Sequence, residues 1–180
     1  MEPGGSTNVA LAEFLSNPDI HYYDFHELHN GEVVEVPPPS VAHVYLQVRI
    51  ERLFRSLLPE DSTVLREFYF TLPTEARRAD VAVVSNARWN AEPDKVFFGS
   101  PGIMVEILSR SNLAVDLVHL RRACLTADAE QFWVVDPFEK IVAVFHRDGS
   151  WKEYSCEQQA AINFEFAGRD YQLPVRAIFD

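Results

Sequence analysis

Cysteine, basic charge and long apolar runs are all scarce in this chain. Its two cysteines, Cys124 and Cys156, show no metal-type spacing. That argues against a thiolate metal centre or a disulfide framework and predicts reduced thiols in a cytoplasmic protein. Basic residues number 16 against 27 acidic ones, a formal net charge of −11. Nucleic-acid affinity leans on Lys and Arg neutralising phosphates, so a generic nucleic-acid-coating surface is not expected, although a local basic cleft is compatible with the count. No stretch approaches the ~20 apolar residues of a membrane helix. The opening Met1-Glu2-Pro3-Gly4-Gly5-Ser6 lacks the basic and apolar regions of a secretory signal. Residues 1–8 therefore read as a flexible tail and 9–180 as a single domain without membrane association. There is no internal repeat and no low-complexity linker.

What is present is ordinary globular composition, 47% apolar and 24% charged, at a length that supports a real core. A short amphipathic helix is expected over Val9–Leu15, capped by Thr7 or Asn8. Strands at 22–28 and 32–36 flank Asn30-Gly31, a hairpin signal because both residues tolerate positive φ. Ser40 is placed to cap a helix from about Val41 to Leu58, with Leu46, Ile50, Leu53, Phe54 and Leu57 as its apolar stripe and Gln47 off it. Strands follow at 63–72 and 80–84, separated by a polar turn at Pro73-Thr74-Glu75. Residues 85–100 read as an irregular rim, 103–108 as a buried strand. Ser109-Arg110-Ser111-Asn112 supplies caps for a helix burying Leu113, Leu117, Leu120 and Cys124. A strand at 131–136, a hairpin at 141–146 and 151–155 around Asp148-Gly149, and a small addition at 164–173 complete the chain. This order predicts an α/β fold with a mixed sheet flanked by helices.

Against this background Glu106 is misplaced. It stands inside Ile103-Met104-Val105-Glu106-Ile107-Leu108, and an ionised carboxylate in a buried strand is costly unless a cation, a metal or several donors meet it. Asp80 opens a second apolar run, Val81-Ala82-Val83-Val84. If the two strands pair, both acids meet on one face. Paired oxygen ligands suit Mg²⁺ or Mn²⁺, which retain waters and bind phosphate through open positions. The cap-rich start of the next helix would point free N–H groups at an anion. The competing reading makes Glu106 a buried partner of Arg78 or Arg121 and lets Asp80 cap a turn. His43 reads as a cap or surface residue, Asp116 and His119 as helix-face residues, and Phe132 and Trp133 as core aromatics.

His26-Glu27-Leu28-His29-Asn30-Gly31-Glu32-Val33-Val34, Pro38-Pro39-Ser40, His43, Ala79-Asp80-Val81, Val105-Glu106-Ile107-Leu108-Ser109 and Phe132-Trp133-Val134-Val135-Asp136-Pro137 together resemble a large bacterial family of restriction endonuclease-like proteins in the PD-(D/E)XK nuclease superfamily. The resemblance runs from about residue 10 onward. It implies a restriction endonuclease-like fold and Mg²⁺- or Mn²⁺-dependent hydrolysis of nucleic acid, DNA foremost. It further implies Asp80 and Glu106 as metal ligands, Glu27 or Glu32 as an additional acid with Glu27 preferred, and Arg121 or Arg78 near the phosphate. Ala79 replaces the usual proline. The superfamily lysine is absent at Leu108, and relatives' alternative lysine position is Leu120. Arg121 lies one step further, rotated ~100°, and stays protonated, so it cannot serve as a base. A fold that binds nucleic acid or a protein partner without cutting is the alternative. A homodimer is expected, because two-fold assembly is common and suits cutting both strands.

Overall fold

A computed structural model describes residues 9–17, 25–90, 96–109 and 114–180. The expected tail, the caps Thr7 and Asn8, the strand start at 22–24, Arg110, the cap run 111–112 and Leu113 lie outside the described residues.

The elements follow as α1 (Leu11–Ser16), β1 (His26–His29), β2 (Glu32–Glu35), α2 (Val41–Leu57), β3 (Ser62–Leu72), β4 (Glu75–Ser85), α3 (Asn86–Trp89), β5 (Phe97–Phe98), β6 (Ile103–Ile107), α4 (Ala114–Thr126), β7 (Gln131–Asp136), β8 (Ile141–His146), β9 (Trp151–Ser155), β10 (Ala161–Phe166), β11 (Arg169–Pro174) and α5 (Val175–Phe179). The nine-stranded sheet runs β2-β1-β4-β6-β7-β8-β9, with β3 on β4 and β5 on β3, while β10 and β11 form a separate hairpin. Among the described residues, only the β6–β7 and β3–β5 pairings are parallel, so the sheet is mixed, as the element order predicts.

Local chemistry explains most turns. Asn30 and Gly31 adopt φ of 50° and 89°, the pair of positive values that a two-residue hairpin turn requires. Ala167 and Gly168 do the same at φ 52° and 72°, extending the terminal addition into the full β10–β11 hairpin. The expected polar turn is shorter than its sequence suggests, since Glu75 already belongs to β4. The rim at 85–100 contains α3 and β5.

Two apolar layers sandwich the sheet. On one face α2, α5 and the β10–β11 hairpin bury Ile50, Phe54, Val81, Val105, Trp133 and Phe164. Phe54, Trp133 and Phe164 meet edge to face at 5.2–5.8 Å, and each such buried ring contributes roughly 1.5–3 kcal/mol. On the other face α4 sets Leu120 and Cys124 against Met104 and Phe132. Trp133 and Phe132 are core residues, as the sequence reading has them. Gln47 is a correction: it is 1% exposed and lies on the buried side of α2.

The decisive feature is β4. β3 pairs with it from end to end except at Glu67 and Asp80, leaving one edge for two neighbours. β1 takes that edge at Ala76 and β6 takes it at Val81–Val83. Between these contacts, at Arg77–Asp80, the edge has no strand partner among the described residues, and the opening becomes a cavity of about 1070 Å³.

Candidate active site

The β4–β6 register places Val81 opposite Val105, so one step further Asp80 faces Glu106. Here the strands part, and the Asp80 carboxylate takes the place of the ladder. Its Oδ2 accepts the Ile107 N–H at 2.7 Å. Its Oδ1 accepts from His43 Nε2 at 2.7 Å and Gln47 Nε2 at 2.9 Å. Both donors come from α2, where positions 43, 47, 50 and 54 form one helical stripe. The same Gln47 amide donates to Glu67 Oε1. Glu67 lies opposite Asp80 in the β3–β4 register, with φ at 49°, a left-handed conformation costly for a residue with a long side chain.

Glu106 is different. Its Oε1 is buried without any hydrogen-bond partner. Burial, with the nearby charges of Asp80 and Glu27, pushes its pKa well above the ordinary carboxylate value. Neither arginine suggested as its partner takes that role. Arg78 lies 3.7 Å from Glu67 and over the Phe25 ring. Arg121 stacks on Phe145, 4.0 Å from its centroid, on a separate cavity. The expectation that Arg121 stands beside the acids is therefore corrected. Its step along α4 turns it away from them, as the helical rotation dictates.

The buried cation among the acids is Arg77, which is 2% exposed; Arg78 also lines the cavity. Its Nη2 donates to Asp116 Oδ2 at 2.8 Å, and its Nε lies 3.7 Å from Glu27 and 3.6 Å from Glu75. His29 bridges the same group, with Nε2 2.7 Å from Glu27 and Nδ1 3.4 Å from Asp116. His119 donates to Glu75 Oε1 at 2.8 Å. Burial alone would lower the His29 pKa, but its bonds to Asp116 and Glu27 outweigh this and raise it. His43 behaves likewise: burial lowers, and the bond to Asp80 and the charges of Asp80 and Glu67 more than compensate. Asp116 is desolvated, yet His29 and Arg77 hold its pKa below the usual range.

The structure thus brings Asp80, Glu106 and Glu27 to one cavity, which Glu32 also lines, and leaves Arg121 elsewhere. Sequence reasoning missed Glu67, Gln47 and the pairing of His43, and placed Arg77 only among several arginines near the acid-bearing segments. A signal existed for two of them, because His43 and Gln47 are polar residues in register with the buried stripe of α2. The two lysine positions offer no amine. Leu120 is buried beside the cavity, and Leu108 N–H bonds to Val135 O at 2.8 Å. Among the described residues, no three His, Cys, Asp or Glu side chains form a ready-made metal cage, and no helix is long and apolar enough to cross a membrane.

Residues 11–176 match the family described as "Uma2: Putative restriction endonuclease". No curated protein matches the chain. Among solved structures, the chain resembles one described as "a putative nuclease belonging to DUF820" from Anabaena variabilis, with a TM-score of 0.83 and 21% identity. The similarity covers 95% of this chain and 97% of the other. The nuclease-type fold implied by the sequence motifs is the fold observed.

Proposed function

Because the chain belongs to the Uma2 family of restriction endonuclease-like proteins, we propose that it hydrolyses nucleic-acid phosphodiester bonds with the help of Mg²⁺ or Mn²⁺ held by Asp80 and Glu106. The observation that supports this most is the unpartnered Glu106 Oε1 across the strand from Asp80. An ionised carboxylate so placed is short of a cation by several kcal/mol. Asp80 has committed two acceptor sites on Oδ1 and one on Oδ2, which leaves Oδ2 one more. One open acceptor site on Asp80 Oδ2 and the wholly unpartnered Glu106 Oε1 fit a small hard cation that keeps most of its waters. When bound, such an ion would polarise a phosphoryl oxygen and lower the pKa of a water.

The chain's own residues prepare this. His43, Gln47 and the Ile107 N–H fix the Asp80 carboxylate in one orientation. Glu27, on β1, is the auxiliary acid facing the cavity, and Arg77 offsets the acidic cluster in place of the missing lysine. The preferred substrate is DNA, and a homodimer suits cleavage of both strands.

A second reading, nucleic-acid binding without cutting, is favoured by the apolar Leu120 where an amine would otherwise reach the phosphate. Calorimetric titration with Mn²⁺ separates the readings. Wild type should give a binding signal that Asp80→Ala loses, and a plasmid assay should show cleavage only by wild type. Metal binding without cleavage supports the second reading. Absence of both metal binding and cleavage refutes the first.

A further inference from the structure

Beyond the acid cavity, α4 presents a second set of residues. Arg121, Arg122 and Leu125 line a separate cavity of about 440 Å³ with Phe145, His146 and Trp151. Phe145 and Trp151 are cross-strand partners at the free end of the sheet. Their rings stack at 5.8 Å with an interplanar angle of 20°, and the Arg121 guanidinium covers the Phe145 ring. Trp151 is 61% exposed.

Charge singles out this patch. In a chain of net charge −11, two adjacent arginines stand here, and among the described residues no carboxylate lies within ion-pair distance of either. Asp148 on the neighbouring turn is occupied by Ser150, whose N–H and Oγ approach it at 2.8 and 2.6 Å. A guanidinium lying flat on a ring keeps its N–H edge free for phosphate. An exposed indole beside it offers a face for a base.

Position points the same way. Phe145 lies level with Met104 through Phe132. It packs on the α4 face of the sheet, the face toward which Glu106 points by alternation with Met104. Two strand spacings across and two residues along put Phe145 roughly 12 Å from Glu106 in the plane of the sheet, with α4 packed over the intervening Met104 and Phe132.

We propose that this platform holds a single-stranded segment of nucleic acid, with a base on the Trp151 indole and the flanking phosphates on Arg121 and Arg122. The choice of nucleic acid as occupant rests on the nuclease reading of the acid cavity. The platform and the acid cavity lie on opposite sides of α4.

A fluorescein-labelled dT12 oligonucleotide, titrated by anisotropy in EDTA, tests this without cleavage. Wild type should bind at low salt and its tryptophan emission should be quenched. Trp151→Ala should bind about tenfold more weakly or worse, while Trp151→Phe keeps most of the affinity. The double variant R121A/R122A should lower the slope of log K against log salt by about 1.4, two phosphates' worth for a single strand. Wild-type affinity in Trp151→Ala, or an unchanged salt slope in the arginine variant, overturns the proposal. So does a Trp151→Ala effect confined to self-association on gel filtration, which assigns the patch to a second copy of the chain. Cleavage lost in Asp80→Ala reports on the acid cavity separately, so either reading can fail while the other stands.

Discussion

Arg77→Met tests the electrostatic frame of the acid cavity most directly. The substitution keeps an unbranched chain of similar reach and removes only the guanidinium, leaving Glu27, Glu75 and Asp116 around the vacated position. Asp116 is more than a third exposed along its side chain, so water and salt screen its share. Glu27 and Glu75 are 10% and 3% exposed and carry most of the cost. Removing one partner from a buried ionic group costs about 3–5 kcal/mol. For a chain of this size that corresponds to a fall in melting temperature of about 6–20 °C. Differential scanning fluorimetry at pH 8 and pH 5 is the assay. The deficit should be larger at pH 8 and shrink as acid neutralises the abandoned carboxylates. A melting temperature within about 2 °C of wild type, or a deficit that ignores pH, would refute the reasoning.

Gln47→Leu leaves Glu67 and one side of Asp80 without their shared donor. It should cost about 1–3 kcal/mol by urea unfolding and weaken Mn²⁺ binding in calorimetry, and an unchanged variant would show that the bridge is idle. His29 has a raised pKa in the fold, so its stabilising contribution is full below the unfolded value near 6.5 and is lost as pH rises through the folded value. Wild type should therefore lose melting temperature above pH 6.5 more steeply than His29→Gln, and parallel profiles would exclude His29 as the cause. Burial pushes the Cys124 thiol up to about 12, with the charge of Glu106 adding to the rise. A thiol reagent at pH 8 should modify Cys156 alone in the native protein and both cysteines in urea.

The sheet and its layers are legible in the sequence because periodicity and turn chemistry act locally. Asn30-Gly31 marks its hairpin, whereas Ala167-Gly168 hides an equivalent one, since alanine in a left-handed conformation is imposed by strand pairing rather than by preference. Glu106 announces itself because a carboxylate among apolar neighbours violates the expected cost of burial. Glu67 gives no such sign, and Arg77 is not distinguished from the other arginines near the acids. Each stands in a strand of mixed character, and its role arises only when β1 and β6 divide the edge of β4. Gln47 does carry a sign, its register with the buried stripe of α2, but an amide on a helix reads as surface until another element brings the carboxylates that use both of its hydrogens.

The five acids at positions 27, 67, 80, 106 and 116 come from β1, β3, β4, β6 and α4. No excised fragment of the chain reproduces their arrangement, and mutual repulsion opposes it until the backbone enforces it. Recovery of metal affinity during refolding should therefore coincide with closure of the most sequence-distant pairings, which are the slow steps of such topologies. On the proposed metal reading, competence for binding an ion would be acquired late and all at once.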